Sequence, residues 1–243
     1  MISNEEFQDI GGLYVLINEA HRFGTDAVLL EDFASALKKE TVCEIGSGCG
    51  IIPFLMCKND RAKKIYAVEI QEDAAELMRK SIEKNSITKI EPLNLDAKDH
   101  KKLDEIIGNN TVDLVVCNPP YYKESSGGEY AREKRGTCRE EACLTIYDVA
   151  DAARRLLNHG GRLCVCYKPQ RLCDLIDAMR KNGIEPKKLR FVHTDIDKAP
   201  WLVLVEGKKG SNPFLEVMPP LVMRSEEGQK ELNRIYGDSK NRM

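Results

Sequence analysis

Short β-branched, apolar runs alternate along the chain with longer stretches whose apolar residues return every three to four positions. The runs Thr41–Ile45, Lys64–Ile70, Ile90–Leu95, Val112–Cys117, Arg162–Tyr167, Lys188–His193 and Trp201–Glu206 predict strands. Amphipathic stretches near 51–59, 72–86, 98–107, 141–158 and 170–182 predict helices between them. Pro53 falls in a first helical turn, where its missing N–H costs nothing. Gly160-Gly161 and Gly183 read as stops after helices. Strand–helix alternation requires right-handed crossovers, hence a mostly parallel sheet with helices on both faces. The first four strands are near-continuous apolar runs, as strands covered on both sides should be. Residues 1–24 precede the first clear helix, and 207–243 read as a polar tail. The polar, glycine-containing stretch 122–140 is long for a connection inside a compact domain, which marks it as functional or mobile.

Composition narrows the class. With 243 residues, 42% hydrophobic and 31% charged, the chain can bury a core and is not broadly disordered. No apolar run approaches the ~18 residues of a membrane helix, and the first residues lack a secretory pattern. Nine cysteines without a Cys-x-x-Cys predict free core thiols in a reducing cytoplasm. The four histidines and the cysteines lack ligand spacing, so no metal site is expected. A net charge of −2 excludes a general polyanion binder, yet the charge is uneven. Residues 1–40 carry eight acids against three bases, while 179–193 carries five bases against Glu185 alone.

The first chemical constellation is Val42-Cys-Glu-Ile-Gly-Ser-Gly-Cys-Gly-Ile-Ile-Pro53. A buried strand runs into Gly46, Ser47, Gly48 and Gly50, and a helix follows. Glycines let the backbone turn tightly and approach a ligand. The dinucleotide fingerprint requires glycine at position 51, which is Ile51 here. Glu44, two residues before the first glycine, suits a cationic or amino-bearing ligand better than a pyrophosphate. Glu69, followed by Ile70, ends the second strand, where a carboxylate can take ribose hydroxyls. Asp96, followed by Ala97, closes the third, where an acid can accept from an adenine amino group. Three acids at the carboxyl ends of three successive strands describe a site for S-adenosylmethionine.

The second is Asn118-Pro119-Pro120-Tyr121, directly after the strand Val112–Cys117. The prolines stiffen the turn and donate no N–H, which leaves carbonyls available. An exocyclic amino group on a ring is a poor nucleophile because its lone pair is delocalised. The Asn118 side-chain oxygen and the Pro119 carbonyl can accept its two N–H bonds, pyramidalise the nitrogen and stabilise developing charge. Tyr121 can stack on the planar substrate.

With these motifs in place, the chain resembles the Rossmann-like methyltransferases that carry N-P-P-Y. It is most similar to the bacterial valine-tRNA adenine-N6 methyltransferases, over nearly its whole length. The stretches that narrow it are Arg22-Phe-Gly-Thr-Asp-Ala-Val-Leu-Leu30, Pro169-Gln-Arg-Leu172 and Ile184-Glu-Pro-Lys-Lys188. The resemblance implies an α/β fold with a mostly parallel seven-stranded sheet, organised as one methyltransferase domain over 1–243. Within it, 1–40 would cover the cofactor, 41–207 would form the Rossmann-like core and 208–243 a C-terminal tail. It further implies methyl transfer to N6 of the adenosine just 3′ of the anticodon. Gly24, Thr25 and Asp26 would lie over the cofactor, and Asn118–Tyr121 would hold the base. The chain departs from the family at His21, at Arg139-Glu-Glu141 and at Lys168-Pro-Gln170. A tRNA partner would be gripped by Lys123, Arg132, Lys134, Arg135 and Arg139 in the 122–140 loop, and by Lys187, Lys188 and Arg190. The same machinery serves other planar nitrogens, such as an rRNA guanine N2 or a protein glutamine amide. Those enzymes usually add a separate N-terminal domain, whereas about forty residues precede the first predicted strand here.

Overall fold

The computed structural model describes residues 4–119 and 144–236. An N-terminal hairpin comes first, β1 (Glu6–Asp9) paired antiparallel with β2 (Tyr14–Ile17), followed by α1 (Thr25–Ala34). The strand–helix alternation then begins with β3 (Thr41–Ile45), α2 (Ile51–Lys58), β4 (Lys64–Glu69), α3 (Glu72–Asn85) and β5 (Ile90–Asn94). It continues through α4 (His100–Ile106), β6 (Val112–Cys117), α5 (Ile146–Leu156), β7 (Leu157–Tyr167) and α6 (Leu172–Lys181). β8 (Ile184–His193) and β9 (Leu202–Lys209) follow, then the short β10 (Glu216–Val217) and β11 (Leu221–Val222), and α7 (Glu226–Tyr236).

Seven long strands form one sheet in the order β8-β9-β7-β6-β3-β4-β5, and β10 and β11 extend it beyond β8. β3 to β7 pair parallel, while β9 runs antiparallel between β7 and β8. The period-2 alternation of side chains divides two cores. Val42, Leu114, Val116, Cys164, Cys166, Leu202 and Leu204 face the layer built by α1 and α2. Cys43, Ile45, Val115, Cys117, Leu163, Val165, Val203 and Val205 face the layer that includes α5 and α6. Both faces are covered, which is why these strands read as unbroken apolar runs.

Four features differ from the sequence expectation. The hairpin is absent from the predicted elements; its β2 edge is held on α3 by side chains, with Leu16 N–H donating to Ser81 Oγ at 2.8 Å and Tyr14 N–H to Asn85 Oδ1 at 2.9 Å. Gly160 and Gly161 lie inside β7 rather than ending a helix, because α5 passes directly into the strand at Leu157. β8 begins at Ile184 and β9 reaches Lys209, so the two are longer than their apolar runs. The polar tail contains α7, whose Leu232 is buried in the α1–α2 core and whose polar residues face out.

Candidate functional site

The sheet reverses direction of growth between β3 and β6, which are neighbours although three strands apart in sequence. Such a switch point opens a crevice at the carboxyl ends of the strands. The glycine loop leaves β3 on one side of it, and Asn118 leaves β6 on the other.

The loop is folded back onto the end of β4. Gly46 and Ser47 N–H both donate to the Val68 carbonyl, at 2.8 and 3.1 Å, and Gly50 N–H donates to the Ser47 carbonyl at 2.8 Å. Gly48 and Gly50 have φ of +55° and +87°, which disfavour any side chain. A Cβ on Gly50 would stand 2.8 Å from Met78 Cγ, whereas Gly46 and Gly48 face open space. Their Cβ-less surface is therefore available to a ligand.

Glu44 is buried, and its Oε2 has no hydrogen-bond partner among the described residues. Burial, and then the charge of Glu69, hold its carboxyl well above the ordinary value of 4.5. A buried acid with an unsatisfied oxygen beside an open glycine turn calls for a donor or a cation. The amino-acid end of S-adenosylmethionine provides one, so the residues present fit this cofactor.

Glu69 is also buried, but it is held by the backbone: Gly48 N–H donates to Oε2 and Gln71 N–H to Oε1, each at 2.8 Å. It thus shapes the loop; Oε1 also accepts from Gln71 Nε2 at 3.4 Å, while Gly48 N–H takes one lone pair of Oε2. Ile70 beside it is exposed, an apolar surface at the edge of the crevice. Asp96 lies one strand further out and accepts from Lys98 N–H at 2.9 Å, with Ala97 buried beneath it.

On the opposite lip Asn118 is half-buried and Pro119 buried. The Cys166 thiol, on β7, donates to Asn118 Oδ1 at 3.0 Å. That bond ties the carboxamide to the neighbouring strand, an interaction that neither strand reveals by itself. Pro120 and Tyr121 lie outside the described residues, as do Lys123, Arg132, Lys134, Arg135 and Arg139.

Gly24, Thr25 and Asp26 sit at the start of α1. The other end of α1 is at the far edge of the sheet, where the Ala34 carbonyl accepts from Arg162 near the beginning of β7's paired stretch. Gly24–Asp26 are therefore on the crevice side.

The basic segment divides. Arg190 forms a two-pronged pair with Glu231 on α7, Lys188 pairs with Glu206 at 3.5 Å, and Arg180 with Glu185 at 3.3 Å. Lys187 donates to the Asn212 carbonyl at 3.1 Å and stands 5.8 Å from the exposed Phe214 ring. β8 runs in the same direction as β7, and through Glu206 and Cys164 the register sets Lys188 level with Val116, two residues before Asn118 but three strands away from it.

A family model described as methyltransferase small domain matches residues 22–182. The chain belongs to this methyltransferase family. It is an S-adenosylmethionine-dependent methyltransferase. A Porphyromonas gingivalis protein named tRNA1(Val) (adenine(37)-N6)-methyltransferase is 32% identical over 211 residues, covering 82% of this chain and 81% of that protein. An Erwinia tasmaniensis protein of the same name is 29% identical over 179 residues, covering 73% and 69%. Among solved structures, an Agrobacterium tumefaciens protein described as a predicted O-methyltransferase superposes with a TM-score of 0.70 at 21% identity, covering 87% of this methyltransferase and 97% of that chain. That likeness reports the fold.

Proposed function

We propose that this methyltransferase modifies N6 of an adenosine in tRNA, at the position just 3′ of the anticodon of a valine tRNA. The observation that carries the reading is Asn118 Oδ1, fixed by Cys166 at the sheet's switch point across from Glu44 and the glycine loop. The choice of adenine in tRNA rests on the names of relatives that align over four-fifths of the chain. Glu44 would hold the amino group of S-adenosylmethionine, Glu69 the ribose and Asp96 the adenine. Gly46–Gly50 would admit the cofactor's backbone-hugging end, with Gly24–Asp26 above it. When bound, S-adenosylmethionine supplies a methyl carbon made electrophilic by its sulfonium.

Asn118 Oδ1 and the Pro119 carbonyl accept the two N–H bonds of the target amine. This turns the nitrogen lone pair out of conjugation and toward the methyl carbon, and it stabilises the positive charge as the C–N bond forms. As the C–N bond forms the methyl–sulfur bond would break, its electron pair staying on sulfur as a neutral thioether, and the proton would leave the alkylated nitrogen for solvent. A loop base suits the site, because an unpaired base splays out at small cost.

The test is incubation of the full chain with unmodified tRNA and isotopically labelled S-adenosylmethionine, followed by mass spectrometry of the nucleosides. Label is expected in N6-methyladenosine from valine tRNA. Label in a guanosine, or in protein alone, would overturn the reading.

A further inference from the structure

Two side chains outside the motifs hold the ends of the segment that crosses the crevice. α1, α2 and α3 share one layer: α1 packs on α2, and α3 closes on the start of α2 where Met78 meets Gly50. α2 therefore lies between the other two. His21 Nε2 meets Asp73 Oδ2 at 2.9 Å in the first turn of α3. Four residues later Thr25 begins α1. The chain between them must pass the N-terminal end of α2, which is the glycine loop.

The near end is braced from behind. Asn18 Oδ1 accepts from Ala20 and His21 N–H at 2.9 and 2.8 Å, and the hairpin before it is fixed to Ser81 and Asn85 of α3. The His21 side chain is nearly buried, so it is seated rather than swinging in solvent. The far end is braced by α7. Arg234 forks onto Asp32 of α1 at 3.0 and 2.7 Å, and Ile235 and Tyr236 pack on the core, which brings the Tyr236 hydroxyl close to the Thr25 side chain.

We propose that His21 and Tyr236 are positioning residues for S-adenosylmethionine, tying segment 21–25 across the cofactor crevice to α3 on one side and to α7 on the other. This rests on the reading that Gly24–Asp26 cover the cofactor. A segment held in its bound course before the ligand arrives spares the ordering cost on binding. The C-terminal helix thereby becomes part of the cofactor site through its contacts with α1.

The experiment is calorimetric titration of S-adenosylmethionine into the full chain and into the variants Tyr236→Phe, His21→Ala, Thr25→Val and Asp26→Ala, each with its thermal midpoint. Tyr236→Phe and His21→Ala should each raise the Kd about three- to tenfold while the thermal midpoint moves little. The KM for the donor should rise in step, and excess donor should restore the rate; a merely structural role would lower the rate at every donor concentration. Thr25→Val removes the other polar half of the Tyr236 contact, so Thr25→Val with Tyr236→Phe should be no worse than the poorer single variant. That pair also decides the matter if one variant fails to fold. Unchanged Kd in folded Tyr236→Phe and His21→Ala, with Asp26→Ala impaired, overturns the tether and leaves the covering turn standing. Unchanged Kd in Asp26→Ala overturns the covering turn and the tether with it.

Discussion

Glu44 holds the sharpest conflict between stability and function. Its buried carboxyl has an oxygen without a partner among the described residues, and burial holds its proton to well above the usual carboxylate range. An acid whose folded-state value is raised keeps a proton that the unfolded chain has lost. Stability of the ligand-free protein therefore falls as pH rises above about 4.5 toward that raised value. Glu44→Gln removes the charge and keeps the shape. Its ligand-free thermal midpoint should exceed that of the unaltered chain at pH 8, with the gap closing by pH 4, while S-adenosylmethionine binding weakens about tenfold or more. Scanning calorimetry across pH checks the first half and titration the second. At the other lip, Asn118→Ala should abolish transfer while cofactor affinity stays within a few fold. Cys166→Ala, which removes one hydrogen bond from the carboxamide, should cost roughly three- to tenfold in kcat, and Cys166→Ser should recover most of it. A full rate in Cys166→Ala would show that other groups already fix Asn118.

The elements place these residues through their ends rather than their middles. β3 and β6 carry apolar side chains on both faces, and the chemistry begins where each strand stops. The glycine turn is possible because Gly50 adopts φ of +87° under Met78. Gly50→Ala should cost about 1–3 kcal/mol by urea unfolding and weaken cofactor binding as the turn shifts. α7 shows how an amphipathic helix can be overlooked: its buried positions are few, Leu232 chief among them, in a sequence dominated by charge. Its Glu231 takes up Arg190, which the sequence offered as a phosphate ligand. A pair of groups 41 residues apart leaves no local signal.

At the scale of the molecule, the ion pairs redistribute the apparent basic patch. Arg190 pairs with Glu231, Lys188 shares Glu206 with Arg162, and Lys187 stands near the exposed Phe214. Lys187→Glu should flatten the dependence of log K for tRNA on log salt, by about one unit of slope for each phosphate no longer neutralised. Arg190→Ala should leave that slope unchanged and lower the thermal midpoint instead. Filter binding across a salt series, with a melt of each variant, separates the two.

The apolar runs alone determined the seven long strands, their mostly parallel pairing and the order glycine loop, second-strand acid, third-strand acid, N-P-P-Y. These are local facts: a strand covered on both faces must be apolar, and a loop that hugs a ligand must lack side chains. The hairpin on α3, the helix in the polar tail and the continuation of β7 through Gly160 and Gly161 were decided by packing. So were the orphaned oxygen of Glu44, the thiol on Asn118 and the crossing held by His21 and Tyr236. Each depends on groups far apart in sequence, and only the closed fold makes it costly to leave such groups unpaired.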